Sequence, residues 1–194
     1  MKKNTIIIVI AALALILLWG VSRYNKLVSA EEAVSSQWGN VENQYQRRAD
    51  LIPNLVATVK GYAAHESQTL EAVTAARAKA TQVTVDPTSL TPEKLQEFQA
   101  AQGELSSALG RLLMITENYP DLKANQNFIE LQAQLEGTEN RIAVERNRFN
   151  EMAMNYNATI RRFPTSLIAA IFGFEKKPYF EAQDGTEKAP EVKF

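Results

Sequence analysis

The sequence contains no cysteine and only one histidine, His65, among its 194 residues. Without cysteine the chain forms no disulfide, and with one histidine it lacks the ligands of an ordinary zinc site. A di-iron carboxylate bundle needs two Glu-x-x-His pairs, which one histidine cannot provide. Phosphate loops, dinucleotide fingerprints and nucleophile elbows are also missing. We therefore predict no cofactor and no enzymatic activity, since no nucleophile or oxyanion donor is placed to complete a site at His65.

The chain also lacks a surplus of positive charge. Its 21 basic and 22 acidic residues give a formal net charge of −1, so nucleic acid is not an expected partner. Glycine is sparse, with 8 residues, while alanine, glutamine, glutamate and leucine are abundant. This composition favours helices, and we predict an all-α protein.

Long apolar runs are confined to one place, residues 5–21, which follow Lys2 and Lys3 and carry no charge. A helix of this length just crosses a hydrocarbon core at about 1.5 Å per residue. We predict a membrane anchor at 1–22, one water-facing domain at 23–180 and a flexible charged tail at 181–194.

A cleaved signal peptide is the alternative reading of the same segment, with 28–30 as its cleavage triplet. Arg23, Tyr24 and Lys26 interrupt the region before that triplet, which favours an uncleaved anchor. Because Lys2 and Lys3 face Arg23 and Lys26 across the segment, the charge bias is slight. It favours an N-terminus inside and a domain outside the cytoplasm.

Residues 22–49 continue as a helix with one apolar stripe. Ser35 and Gly39 lie on a neighbouring face, where we expect close packing within the chain, with oligomer contacts as the alternative. The stripe has spacings of four, three and four and consists of Val34, Trp38, Val41 and Tyr45.

Pro53 must either kink this helix or restart it, because proline cannot donate to the carbonyl four residues earlier. In a restart, Asp50 would cap the new helix. Arg47, Arg48 and Asp50 are candidate interaction residues, and the two arginines would hold an anionic lipid or a partner's carboxylate. An ion pair with Asp50 or with a neighbouring helix is the alternative.

Three further helical segments follow. Gly61 lies in the first of them, and we expect close packing there. A loop at 84–92 precedes the next helix, for which Thr91 is the expected N-cap. Gly103, Ser107 and Gly110 form a second small-residue face, a candidate interaction seam. The expected apolar positions are Leu55, Val59, Tyr62, Leu70 and Val73; Leu95, Phe98, Leu105, Leu109, Leu112 and Ile115; and the heptad series Phe128, Leu131, Leu135, Ile142, Phe149, Met152 and Tyr156.

The helix ends at 163–164, and a second apolar run, LIAAIFGF, follows at 167–174. It is too short to span a bilayer. We expect it to fold back onto the bundle; the alternatives are the membrane surface or a partner's groove. Phe172 and Phe174 are candidate interaction residues within it.

The chain resembles the bacterial LemA family. The motifs that carry the resemblance cover nearly the whole chain: YNKLV at 24–28, RRADLIPNLVATVKGYAAHE at 47–66, YPDLKANQNFIELQAQLEGTENRIAVERNRFNEMAMNYN at 119–157, FP at 163–164, and FGF and YFE behind it. The resemblance implies a single-pass membrane protein with an up-and-down antiparallel bundle of three to four long helices. It brings no catalytic residues, and accounts of the family often place the short N-terminus outside, against the charge count above.

Two functions fit these observations. The first is a non-enzymatic, membrane-anchored scaffold of the bacterial envelope that self-associates into a homo-oligomer. The second is an adaptor for an envelope membrane protein such as a stress-response metalloprotease, because family genes are often found near such proteins. The adaptor would present residues 47–66 or 163–180 to its partner.

Overall fold

The computed structural model describes residues 2–181. Within this range the regular elements are helices. They are α1 (Lys2–Tyr62), α2 (Ser67–Gln82), α3 (Pro92–Thr116), α4 (Pro120–Lys123), α5 (Gln126–Arg161) and α6 (Thr165–Phe172), with a 3-10 turn at Pro87–Ser89.

The four long helices alternate in direction. Tyr119 and Asn125, which flank α4, bond to Glu66 and Tyr62 at the far end of α1. Helix α3 therefore runs in the same direction as α1, and α5 runs back down beside α1. The prediction of an all-α, up-and-down antiparallel bundle is confirmed. The tail predicted at 181–194 lies outside the described residues except for Glu181.

Helix α1 has 61 residues and is therefore about 92 Å long. Its N-terminal third is apolar and exposed, and it is long and apolar enough to cross a membrane. From Leu27 onward one side of the same helix is buried in the bundle. The apolar segment and the bundle are thus joined by continuous helix.

Pro53 neither breaks α1 nor starts a new helix, because α1 continues to Tyr62. The carbonyl of Ala49, which Pro53 cannot bond, accepts a hydrogen bond from Arg77 Nε of α2 at 2.7 Å. The alternative in which α1 ends and Asp50 caps a new helix is therefore excluded: Asp50 lies inside α1 and accepts from Gln46 Nε2 at 2.8 Å.

The predicted apolar stripes are largely those that the bundle buries. Two positions are wrong. Tyr62 is exposed while Ala63 is buried in its place, and Met152 is exposed while Ala153 is buried in its place. A straight α-helix drifts about 20° per heptad from a 3.5-residue repeat, so over α5 the buried face moves to the next residue. Thr91 caps α3 as predicted, accepting from the Lys94 amide at 3.3 Å.

The close packing expected at two glycines of α1 is not found. A Cβ built on Gly39 or Gly61 meets no atom within 4 Å. Gly61 is exposed and is the penultimate residue of α1. A weak helix former at that position destabilises the helix little, because almost no helix follows it.

The core has two apolar clusters. One surrounds Trp38 and lies toward the membrane end, and the other surrounds Leu55 and lies toward the tip where α1 ends. A layer of buried polar side chains centred on Arg48 and Gln102 separates them. Because polar groups in such a layer must find partners in register, they favour one alignment of the four helices.

Candidate functional site

Arg48 is the centre of the polar layer and is only 1% exposed. Its Nη1 donates to Ser106 Oγ at 2.8 Å and to Glu139 Oε1 at 2.7 Å. Its Nη2 donates to the carbonyl oxygen of Gln102 at 3.2 Å and to Gln102 Oε1 at 2.6 Å. Gln102 Nε2 in turn donates to the carbonyl of Ala80 at 3.2 Å. One polar chain therefore connects α2, α3, α1 and α5.

The surroundings of Arg48 leave little room for a ligand. A cavity of about 50 Å³ lies beside it, lined in part by Gly103 and Arg146. The Tyr45 ring lies 5.1 Å from the guanidinium carbon. Burial raises the pKa of the Tyr45 phenol, and the positive charges of Arg146 and Arg48 oppose that shift. This arrangement suits a structural ion pair better than a binding pocket.

The structure separates the predicted residues Arg47, Arg48 and Asp50. Arg47 and Asp50 are exposed while Arg48 is buried. Arg48 lies 27 residues beyond Val21, or about 40 Å along the helix from the end of the apolar segment. A lipid role for Arg48 is therefore wrong, and its ion pair is with a neighbouring helix, Glu139 of α5.

The small-residue face of α3 makes no close contact within the chain. A Cβ built on Gly103 or Gly110 meets no atom within 4 Å, and Gly110 is exposed. Ser107, the third residue of that face, borders an open groove against α2, with a volume of about 500 Å³. The groove is lined mainly by small side chains: Ala72, Ala75, Ala76, Ser107 and Ala108, with Lys79, Glu104 and Arg111 at its edges.

Phe172 and Phe174 meet at the opposite end of the bundle, beside the exit of the apolar segment. Their rings lie 4.8 Å and 5.7 Å from the ring of Tyr24 on α1. Helix α6 packs here through Ala169, which is buried, and ends at Gly173 in a left-handed conformation with φ of 74°. The expected folding back of residues 167–174 is thus only partly met, since Leu167 and Ile171 remain exposed.

Residues 174–181 form an extended strap that returns along α5, a feature the sequence analysis missed. Asn157 Nδ2 donates to the carbonyl of Lys177 at 2.8 Å, and the Lys177 amide donates to Asn157 Oδ1 at 2.9 Å. Asn150 holds the carbonyl and amide of Phe180 in the same way, at 2.9 Å and 2.8 Å. Seven residues of helix rise about 10.5 Å and three extended residues span about 10 Å, so the two pairs match in spacing.

Side chains of the strap are also buried. Phe180 stacks on Trp38 with ring centroids 5.7 Å apart. The guanidinium of Arg146 also lies over the Phe180 ring, 4.8 Å from its centroid. Lys177 is buried and pairs with Glu31 at 2.7 Å. The asparagine spacing in α5 was the available signal for this strap.

In the described range 2–181, no group of three or more histidine, aspartate or glutamate side chains is arranged to hold a metal ion. The LemA family model matches residues 37–194, which is most of the chain. The chain belongs to the LemA family. The matched region holds the polar layer, α6 and the strap, and it begins after the apolar segment.

Individual relatives include the magnetosome protein MamQ of Magnetospirillum gryphiswaldense, 29% identical over 175 positions. That alignment covers 81% of this chain and 64% of the relative, so the chain spans less than two thirds of that protein. MamQ 2 of Paramagnetospirillum magneticum is 27% identical, covering 91% of this chain and 70% of the relative. Protein LemA of Metamycoplasma hominis is 25% identical, covering 84% and 71%.

Membership of the LemA family, together with the exposed apolar segment of α1, indicates a membrane-associated protein of the cell envelope. The names of these relatives give no reaction.

Proposed function

We propose that this LemA family protein is a non-enzymatic scaffold that is anchored by α1 in the inner membrane and self-associates through its bundle. The bundle lies outside the cytoplasm in this proposal, in keeping with the charges that flank the anchor. The observation that carries the proposal is the groove between α2 and α3, where five of the eight lining residues are alanine or serine.

Small side chains at a helix surface let a second helix approach closely. The edges of the groove carry both signs of charge, with Lys79 Nζ bonded to Glu104 at 2.7 Å and Arg111 nearby. A face that carries both signs can meet a second copy of itself across a two-fold axis with opposite charges opposed. We therefore assign a second copy of the chain to this groove.

The test is the mass of the full-length protein in nanodiscs or mild detergent. We expect a discrete oligomer, and we expect Ala75→Lys in the groove to shift the mass toward the monomer. Ala143→Lys is the matched control, since Ala143 is an exposed alanine on α5, away from this groove. A monomeric wild-type protein, or equal effects of the two substitutions, would contradict the proposed self-association.

The adaptor function remains the second candidate, and the observation that favours it is the exposed apolar surface at the membrane end, where Phe163 is 81% exposed. A monomer in the mass measurement would favour this alternative. Crosslinking from residues 163–180 to one reproducible membrane protein would then identify the partner.

A further inference from the structure

The exposed face of α6 lies beside the point where α1 ends its apolar segment. Ile168 of α6 comes within 3.8 Å of the position that a Cβ on Gly20 would occupy. Phe172 contacts Tyr24, four residues further along α1. Gly20 and Tyr24 are separated by about 6 Å along the helix axis. Helix α6 therefore contacts α1 along a short stretch, directly after the end of the apolar segment.

The apolar segment at 5–21 lies at the short end of the lengths that cross a bilayer, since its helix rises about 25 Å against a hydrocarbon core of roughly 30 Å. A short span draws its flanking residues into the interfacial layer or thins the bilayer around it. Residues 20–24 of α1, and α6 beside them, then lie at the level of the lipid headgroups.

The surface of α6 suits that level. An α6 patch of large apolar side chains is exposed. The residues that flank it in the sequence include three exposed cations, Arg161, Arg162 and Lys176, and one exposed acid, Glu175. Trp19 and Tyr24 on α1 are the aromatic types found at membrane interfaces, and the Arg23 guanidinium lies 5.6 Å from the Trp19 ring centroid. The members of the α6 patch are Phe163, Leu167, Ile171 and Phe172.

We propose that the α6 patch is a second membrane contact, which inserts into the interfacial layer of the leaflet where α1 leaves the bilayer. The occupant of the patch is lipid, because the patch is continuous with the apolar segment and is bordered by basic side chains that suit anionic headgroups. This inference depends on the proposed anchoring by α1. The α6 patch then fixes the rotation of the bundle about α1 and its tilt toward the membrane.

The absence of cysteine makes the test direct, because a single introduced cysteine takes a spin label at one place. The full chain is placed in nanodiscs of phosphatidylcholine and phosphatidylglycerol, and label depth is measured from collisions with oxygen and with a water-soluble nickel chelate. Ile171→Cys reports on the α6 patch. Met114→Cys is the matched control, since the two side chains are 74% and 73% exposed and Met114 lies near the far end of the bundle.

We expect the Ile171 label at a depth of about 5–10 Å below the headgroup boundary and the Met114 label in water. A third label, Leu15→Cys, reports on the anchor itself. If the Leu15 label lies in the hydrocarbon core and the Ile171 label lies in water, the α6 inference is wrong while the anchoring stands.

Two other outcomes also overturn the inference. A Ile171 label that is shielded from both oxygen and nickel is covered by protein, either a second copy or another partner. A Leu15 label in water removes the anchor and, with it, the reason for placing α6 at a membrane.

Discussion

Replacing Asn157 by alanine tests whether the two asparagines hold the strap. The side chain of Asn157 makes three hydrogen bonds to it: two with the backbone of Lys177, and one in which Nδ2 donates to the Tyr179 hydroxyl at 2.9 Å. At a net 0.5–1.5 kcal/mol for each bond, their loss weakens strap docking by about 3 kcal/mol.

The strap follows α6, the last helix of the described range, so it can detach and hydrate while the rest of the bundle stays folded. The loss therefore appears as local opening of the strap. At about 1.4 kcal/mol for each tenfold change, 3 kcal/mol corresponds to roughly a hundredfold increase in the open population. The Phe180 amide, which donates to Asn150 Oδ1, reports that population through hydrogen exchange.

Asn155→Ala is the control for this measurement. Asn155 lies two residues away on the same helix and is exposed, so its replacement gives a similar gain in helix propensity without removing a bond to the strap. We expect the Asn157 variant alone to accelerate exchange at Phe180. If the Phe180 exchange rates of the two variants agree within about threefold, well below the hundredfold derived from the bond count, Asn157 does not hold the strap.

Three further predictions concern the bundle, each measured as the free energy of unfolding of the full chain in detergent. Arg48→Met should cost about 2–3 kcal/mol by leaving several buried acceptors without a donor, whereas exposed Arg47→Met should cost below about 0.5 kcal/mol; equal costs would contradict the structural role of Arg48. Arg77→Met should cost about 1–2 kcal/mol, because the carbonyl of Ala49 loses its donor. The cost should shrink in a Pro53→Ala background, where the amide of residue 53 can bond that carbonyl within the helix. An unchanged cost would exclude this coupling. Burial raises the pKa of Tyr156, so its contribution to stability is present below about pH 10 and is lost as pH rises further. Tyr156→Phe should make that alkaline loss shallower without destabilising the protein at neutral pH, because the Tyr156 hydroxyl is buried without a hydrogen-bond partner in the described range; an equally steep loss in the variant would show that another group titrates.

The helices and their apolar faces could be predicted because each depends on residues three or four apart in the sequence. The inward orientation of Arg48 was available in the same way, since it lies three residues after Tyr45 and four before Ile52, both buried. Arg47 is adjacent to Arg48 in the sequence but lies on a different face of the helix, so the two arginines do not share one role.

The continuity of α1 through Pro53 could not be predicted, because the donor that satisfies the freed carbonyl, Arg77, lies 28 residues from Ala49 on another helix. The strap could be predicted only in part. The seven-residue spacing of Asn150 and Asn157 is visible in the sequence, but their partners are backbone groups that leave no pattern.

The first buried residue of α1, Leu27, lies six residues after Val21, or about 9 Å along the axis. Helix α1 is continuous over that interval, so the bundle has no flexible linker with which to move away from the end of the apolar segment. Helix α6 occupies the side of α1 at that interval, and the strap behind it is fastened to the membrane-end core through Phe180. Because Ala169 of α6 and Phe180 of the strap belong to that core, the α6 patch is part of the bundle. The membrane position that we propose for the patch then follows from the rigidity of α1.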